Sequence, residues 1–325
     1  MTDEVEPFRA IGLSRLAHRL KVEGRSILHM EFGQPSTGAP AAAVARAHQV
    51  LDSDGMGYWE SPDLRARIAR LYRDRYDVEV HPDRIVLTCG ASPALVLALT
   101  SRFRPGARIA MARPGYVAYR NTVRALGMTP VEIGCGPGTR FQLTADLLSA
   151  AGPIDGVILA SPANPTGSII PEPALRAIAA WRRSNGVTII SDEIYHGLTY
   201  GEPTPTILSL DPDAMVINSF SKYWSMAGWR LGWLVAGEAS VAAVRAHAGQ
   251  GVQHQGAVAG VAGDVAFQLV FAIHGDQTGV LAQRRGRQEH VADMGPYRGD
   301  TGFARHQPAQ PPTGHAPVFG EAVDH

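Results

Sequence analysis

The chain has 325 residues, 30 basic and 30 acidic side chains, and a formal net charge of zero at neutral pH. With 45% apolar residues it can bury a substantial core, and its balanced charge gives no electrostatic case for nucleic acid or an acidic membrane as partner. Two cysteines, Cys89 and Cys135, are too few for a disulfide scaffold and lack metal-ligand spacing, which points to a reducing, cytoplasmic setting and no metal site.

The N-terminus carries Asp3, Glu4 and Glu6 and lacks the pattern of a signal or transit peptide. Residues 62–76 place Leu64, Ile68, Leu71 and Tyr72 at helical spacing, with arginines on the other face. Compact β-rich runs follow at 85–89, 107–111, 156–160, 187–191, 215–219 and 231–235, with a weaker one at 130–133. Helical patterns at 93–103, 116–126 and 171–184 separate several of them. Strands alternating with helices predict an α/β domain with a largely parallel sheet. After about residue 247 the character changes: 22 leucines precede residue 249 and only Leu269 and Leu281 follow it. Residues 256–273 are the most membrane-like stretch, but Asp264, Gln268 and three glycines interrupt the roughly 20 predominantly apolar residues a spanning helix needs.

In open α/β sheets ligands bind beyond the carboxyl ends of the strands. Polar and glycine-containing peptides lie at those places: Gly90-Ala91-Ser92, Pro114-Gly115-Tyr116, the run 161–167, Asp192-Glu193-Ile194-Tyr195 and Ser219-Phe220-Ser221-Lys222. Lys222 is one of only two lysines among the 30 basic residues. A deprotonated lysine condenses with a carbonyl compound. Arg230 can clamp a phosphate through two hydrogen bonds, and Ser92 with the N–H groups opening the next helix forms a phosphate seat. A carbonyl, a phosphate and a ring needing a carboxylate partner together describe pyridoxal 5′-phosphate.

The run Ser219-Phe-Ser-Lys-Tyr-Trp-Ser-Met-Ala-Gly-Trp-Arg-Leu-Gly232 matches S-x-S-K-x5-G-x-R-x-G at every defined position. Asn164-Pro165-Thr166-Gly167 matches an N-P-T-G peptide, and Asp192 with Tyr195 matches D-x-x-Y. On these motifs, over roughly residues 25 to 245, the chain resembles the class I/II aminotransferases of the fold-type I pyridoxal-phosphate enzymes. The resemblance implies a three-layer, mostly parallel seven-stranded sheet, with a small domain that is here incomplete. Residues 1–40 would be an N-terminal arm and small-domain segment, and 41–247 the large cofactor-binding domain.

By position, Lys222 resembles the lysine that forms a Schiff base with the cofactor and moves the substrate α-proton. Asp192 resembles the carboxylate paired with the ring nitrogen, and Asn164 and Tyr195 the hydrogen-bond partners of the ring's phenolic oxygen. Lys222, Asp192 and Tyr195 are therefore the expected catalytic set. Ala91, Ser92, Ser219 and Arg230 resemble the phosphate-binding group, and Tyr116 the aromatic residue stacked on the ring. Gly33 resembles the glycine of a segment closing over substrate, where Asn164 would also reach. Tyr58 resembles a tyrosine that reaches the phosphate of the neighbouring subunit, which implies a homodimer with shared sites. Its spacing departs from the family pattern, being six residues before Leu64-Arg65.

The resemblance implies transfer of an amino group between an amino acid and a 2-oxo acid. Two alternatives stay open: a carbon–sulfur lyase of the same fold, or a non-catalytic cofactor-binding remnant. The family's arginine for the substrate carboxylate has no recognisable counterpart among Arg284, Arg285, Arg287, Arg298 and Arg305. Residues 248–325 read either as a degraded small domain or as sequence out of frame.

Overall fold

The computed structural model describes residues 9–53 and 60–251. Tyr58, residues 252–325 and the arginines named within them lie outside the described residues.

Two helices come first, α1 (Arg9–Val22) and α2 (Ala41–Ser53). The third, α3 (Pro62–Tyr76), has the predicted ends. Ser61 accepts the Leu64 N–H, Pro62 sits in the first turn where no donor is lost, and Asp77 closes the helix in the left-handed region at φ 55°. The remainder alternates: β1 (Ile85–Thr88), α4 (Ala91–Arg102), β2 (Arg108–Arg113), α5 (Val117–Ala125), β3 (Thr129–Gly134), α6 (Ala145–Ala150), β4 (Gly156–Ala160), α7 (Glu172–Asn185), β5 (Thr188–Asp192), β6 (Met215–Ser219), β7 (Gly232–Val235) and α8 (Val241–Gly251). All seven expected strands form, each within two residues of its expected ends.

They make one sheet in the order β1-β7-β6-β5-β4-β2-β3. Every pairing is parallel except those of β7, which runs antiparallel to both β1 and β6. Successive side chains of a strand point to opposite faces. Along β6, Met215 and Ile217 join a core with Leu95, Leu99 and Val123 of α4 and α5, whereas Val216 joins the core of α3 and α7. The sheet is therefore covered on both sides, which explains why every residue of β1, β5, β6 and β7 is buried without alternation. Three layers result, as the motif resemblance implies.

Because β7 reverses direction against both neighbours, β1 runs the same way as β6. Their carboxyl ends, with those of β2, β4 and β5, fall on one edge of the sheet. Gly232 starts β7 opposite both Thr88 and Ser219. A Cβ there would lie 2.7 Å from the Gly90 carbonyl carbon and 2.8 Å from the Asn218 oxygen, both backbone atoms that cannot swing aside. The last glycine of the lysine motif thus lets the Gly90 turn lie directly against β7.

Gly232→Ala should lower unfolding stability by about 1–3 kcal/mol, as overpacking of a closed site does. Gly134→Ala, at a position with nothing within 4 Å of the added methyl, should stay within about 0.5 kcal/mol. Denaturant midpoints of the two variants provide the comparison.

Candidate functional site

Asp192 ends β5 with its side chain in the core, only 7% exposed. Its Oδ2 accepts the Tyr119 hydroxyl at 2.5 Å and its Oδ1 accepts the Ile194 N–H at 3.1 Å. Burial pushes the carboxyl pKa up to about 6, while those two hydrogen bonds and the Lys222 ammonium work to hold it down. A buried carboxylate at this height takes a cationic partner readily.

Lys222 lies three residues beyond the end of β6, its ammonium 5.9 Å from the centre of the Tyr195 ring. Burial and the nearby positive charge of Arg230 lower its pKa, against the opposing pull of Asp192. Its Nζ donates to the Gly33 carbonyl at 2.6 Å, which brings the N-terminal segment over the lysine. A second tie joins the same two segments, the Thr37 and Ser225 hydroxyls at 2.7 Å.

Tyr195 follows Asp192 by one turn and shares a side-chain hydrogen bond with Asn164. Burial raises its pKa first, and the charge of Asp192 adds to the rise. Tyr116 packs edge-on against Tyr119 with ring centres 5.3 Å apart, and its hydroxyl also senses Asp192. A cleft of about 460 Å³ opens beside Asn164 and Tyr195, with Pro162, Ile169, Leu198 and Thr199 in its wall.

Arg230 adopts the left-handed conformation at φ 53°. Its Nη2 donates to the Cys89 carbonyl at 3.1 Å and its Nη1 to the Ala227 carbonyl at 2.9 Å. Gly90, at φ 102°, precedes Ala91 and Ser92 at the start of α4, and a Cβ on it would meet Arg230 Nη2 at 2.5 Å. The guanidinium is thereby seated at the N-terminus of α4, where free N–H groups and the helix dipole already favour an anion. Ser219 is fully buried, and its Oγ accepts the Ser221 N–H at 2.9 Å. Its own hydroxyl proton remains to be donated.

Of the expected residues, Lys222, Asp192, Tyr195, Asn164, Tyr116 and Arg230 fall in one connected cluster, with Ala91 and Ser92 beside Arg230 and Gly33 over Lys222. Tyr58 lies outside the described residues. Sequence reasoning missed Tyr119, which lies in the first turn of α5, three residues after the Tyr116 that precedes that helix. It also passed over Glu193. The set matches the groups of pyridoxal phosphate one by one: an amine for its aldehyde, a carboxylate for its ring nitrogen, a phenol and amide for its phenolic oxygen, and a cationic helix N-terminus for its phosphate. Gly90 supplies the structural test, since the space of its missing side chain is taken up by the Arg230 guanidinium.

The sequence model of the family described as aminotransferase class I and II matches residues 27–271. A valine–pyruvate aminotransferase of Mycobacterium tuberculosis is 47% identical over 225 residues, which are 67% of this chain and 58% of that protein. A (5-formylfuran-3-yl)methyl phosphate transaminase of Methanocaldococcus jannaschii is 31% identical over 245 residues, 74% of this chain and 64% of that protein. The crystal structure of an aminotransferase from Mycobacterium tuberculosis superimposes with a TM-score of 0.77 at 40% identity, covering 84% of this chain and 72% of that one. The chain thus spans about three fifths of the length of the two curated relatives.

Tyr119→Phe removes the one side-chain donor to Asp192 that holds its pKa down. The Asp192 titration should therefore move upward from about 6, as followed by carboxyl-carbon NMR on isotope-labelled protein. At pH 8, where Asp192 is ionised, the same change should cost about 1–3 kcal/mol of stability, the range for leaving a buried acceptor short of a donor.

Proposed function

The chain belongs to the class I and II aminotransferase family, and from that premise we propose that it is a pyridoxal-phosphate-dependent aminotransferase. The observation that carries this reading is the pairing of a lysine of lowered pKa with a buried carboxylate across one strand edge. The bound cofactor supplies a carbonyl for amines and an aromatic ring that accepts the electron pair left when the substrate Cα–H bond breaks.

The protein's own residues do the rest. Lys222 Nζ would be the point of attachment for the cofactor and the base for the substrate Cα proton. Burial and Arg230 favour its unprotonated, nucleophilic form. Asp192 holds the ring nitrogen in its protonated, cationic form, and Tyr119 and the Ile194 N–H keep the carboxylate ionised and aimed. Tyr195 and Asn164 would hold the phenolic oxygen, and Tyr116 would pack on the ring. Arg230, Ser92 and the α4 N–H groups neutralise the phosphate, with Ser219 donating beside them. Gly33 and Asn164 border the substrate.

The domain division follows this reading: residues 41–247 bind the cofactor and 1–40 form an arm that reaches Lys222. Tyr58 would serve a neighbouring copy in a homodimer. The substrates are an amino acid and a 2-oxo acid. Valine and pyruvate are the first pair to test, from the name of the relative at 47% identity.

Absorption spectroscopy of the purified chain with pyridoxal phosphate should show a lysine-bound cofactor band that Lys222→Ala lacks. Parent protein with valine and pyruvate should yield alanine. Lys222→Ala should lower that rate by at least about a hundredfold, as removal of a positioned base does. Release of ammonia with pyruvate from sulfur amino acids, without amino-group exchange, would instead make the chain a lyase. A bound cofactor that never responds to amino acids would make it a non-catalytic binder.

A further inference from the structure

Next to Asp192 stands a second buried carboxyl group that the proposed reaction does not use. Glu193 is 1% exposed. Its Oε1 accepts three hydrogen bonds, from the Ser191 hydroxyl at 3.2 Å, the Thr206 hydroxyl at 3.1 Å and the Ile207 N–H at 3.0 Å. Its Oε2 accepts none among the described residues, although it is shut off from solvent. The nearest charged-group geometry is to His196, whose Nδ1 lies 3.6 Å from Oε2, beyond hydrogen-bond reach. That imidazole is itself buried, and burial followed by the charge of Arg75 drives its pKa down to about 3, so it brings no positive charge. It instead shares a 2.7 Å hydrogen bond with the Tyr76 hydroxyl at the end of α3.

An ionised carboxylate spreads its charge over both oxygens, and a buried oxygen left without a donor is costly. A proton on Oε2 removes a charge that no donor, cation or solvent there offsets, at the smaller cost of a neutral buried hydroxyl with no acceptor in hydrogen-bond reach. We propose that Glu193 is a positioning residue that works as a neutral carboxylic acid: it ties the Asp192–Tyr195 turn to β5 and to the Thr206 segment without adding a second negative charge beside Asp192. The inference rests on the proposed function for the role of Asp192, but the protonation of Glu193 stands on its own geometry.

The surroundings agree. Glu193 faces Asp192 along the chain, Tyr72 and Tyr76 from α3, and His196 from its own turn. Arg75 acts on His196 and the two tyrosines. Burial chiefly, and Asp192 in addition, push the Glu193 pKa up to about 7 against its three hydrogen bonds. A carboxylate here would repel the very charge that the ring nitrogen requires.

Two measurements on the full chain test this, using Glu193→Gln, which keeps a carbonyl for the three donors, and Glu193→Ala, which does not. Infrared difference spectra of parent against Glu193→Gln at pH 6 should show loss of a protonated-carboxyl carbonyl band. Loss of carboxylate bands alone would overturn the proposal. In the second measurement, pyridoxal phosphate is titrated into each protein and its absorption followed against pH. Parent protein should show an inflection near pH 7 that Glu193→Gln lacks, with cofactor affinity in that variant within about threefold of the parent. Loss of affinity by tenfold or more in Glu193→Gln, the scale expected when a charge-assisted contact is removed, would overturn it, as would an unchanged inflection. Glu193→Ala should bind more weakly than Glu193→Gln, and equal binding would deny Glu193 its positioning role. Parent protein that binds no pyridoxal phosphate would defeat the proposed function, and the infrared result would still decide the state of Glu193.

Discussion

An ionisable carboxyl group at the buried end of β5 sets the terms for everything around it. Asp192 has nearly no solvent to stabilise its charge, so the protein must supply donors, and it supplies two, Tyr119 and the Ile194 N–H. Both are neutral. A guanidinium or ammonium in direct contact would neutralise the carboxylate within the protein and leave nothing for a ligand. Of the cations, Lys222 instead acts on Asp192 at a distance, and Arg230 acts on Lys222. The carboxyl is thus left with a raised pKa and an unsatisfied demand for positive charge, which is the property a site for a basic ring requires.

Topology brings those cations within range. A sheet with all strands parallel would place the start of β7 at the far edge, away from Lys222. The antiparallel β7 instead begins at the ligand edge, immediately after the peptide that carries Lys222 and Arg230. Gly232 then allows the Gly90 turn to rest on it, and Gly90 in turn leaves room for the Arg230 guanidinium. Two glycines far apart in sequence therefore cooperate in one contact. The spacing of lysine, arginine and final glycine in the motif is the trace of a strand reversal folded against a helix start.

This accounts for how much could be read beforehand. The strand 156–160 was legible to the residue because burial on both faces leaves an unbroken apolar run, and 215–219 because its apolar Met215-Val216-Ile217 runs into the polar peptide of the site. The helix 62–76 was legible because Ser61, Pro62 and Asp77 mark its ends. The first two helices and α6 were not. In α1 no residue is buried, so Ile11, Leu13 and Leu16 make no single core-facing stripe, and α6 has only six residues. In the site, residues with defined positions in a motif were found, whereas Tyr119 and Glu193 were not. Their roles come from contacts across 73 and 13 residues of chain, a relation that no local pattern records.

The turn after β5 also shows how a protein keeps a charged site from governing its stability. Asp192 and Glu193 have pKa values raised from their ordinary 3.8 and 4.5 to about 6 and 7. Their protonated forms favour the fold below about pH 4, and that contribution is lost as pH rises through 6 and 7. His196 runs the other way, depressed from 6.5 to about 3, so its contribution is present above 6.5 and lost as pH falls toward 3. The windows overlap between about 4.5 and 6, where protons taken up by the carboxyls are partly offset by the proton the imidazole refuses. Between about pH 4.5 and 6 the imidazole therefore cancels roughly one of the two protons taken up by the carboxyls, so the three groups together leave about half the pH dependence of the two carboxyls alone. The site can then hold or release a proton at Asp192 while the packing that aims it stays in place.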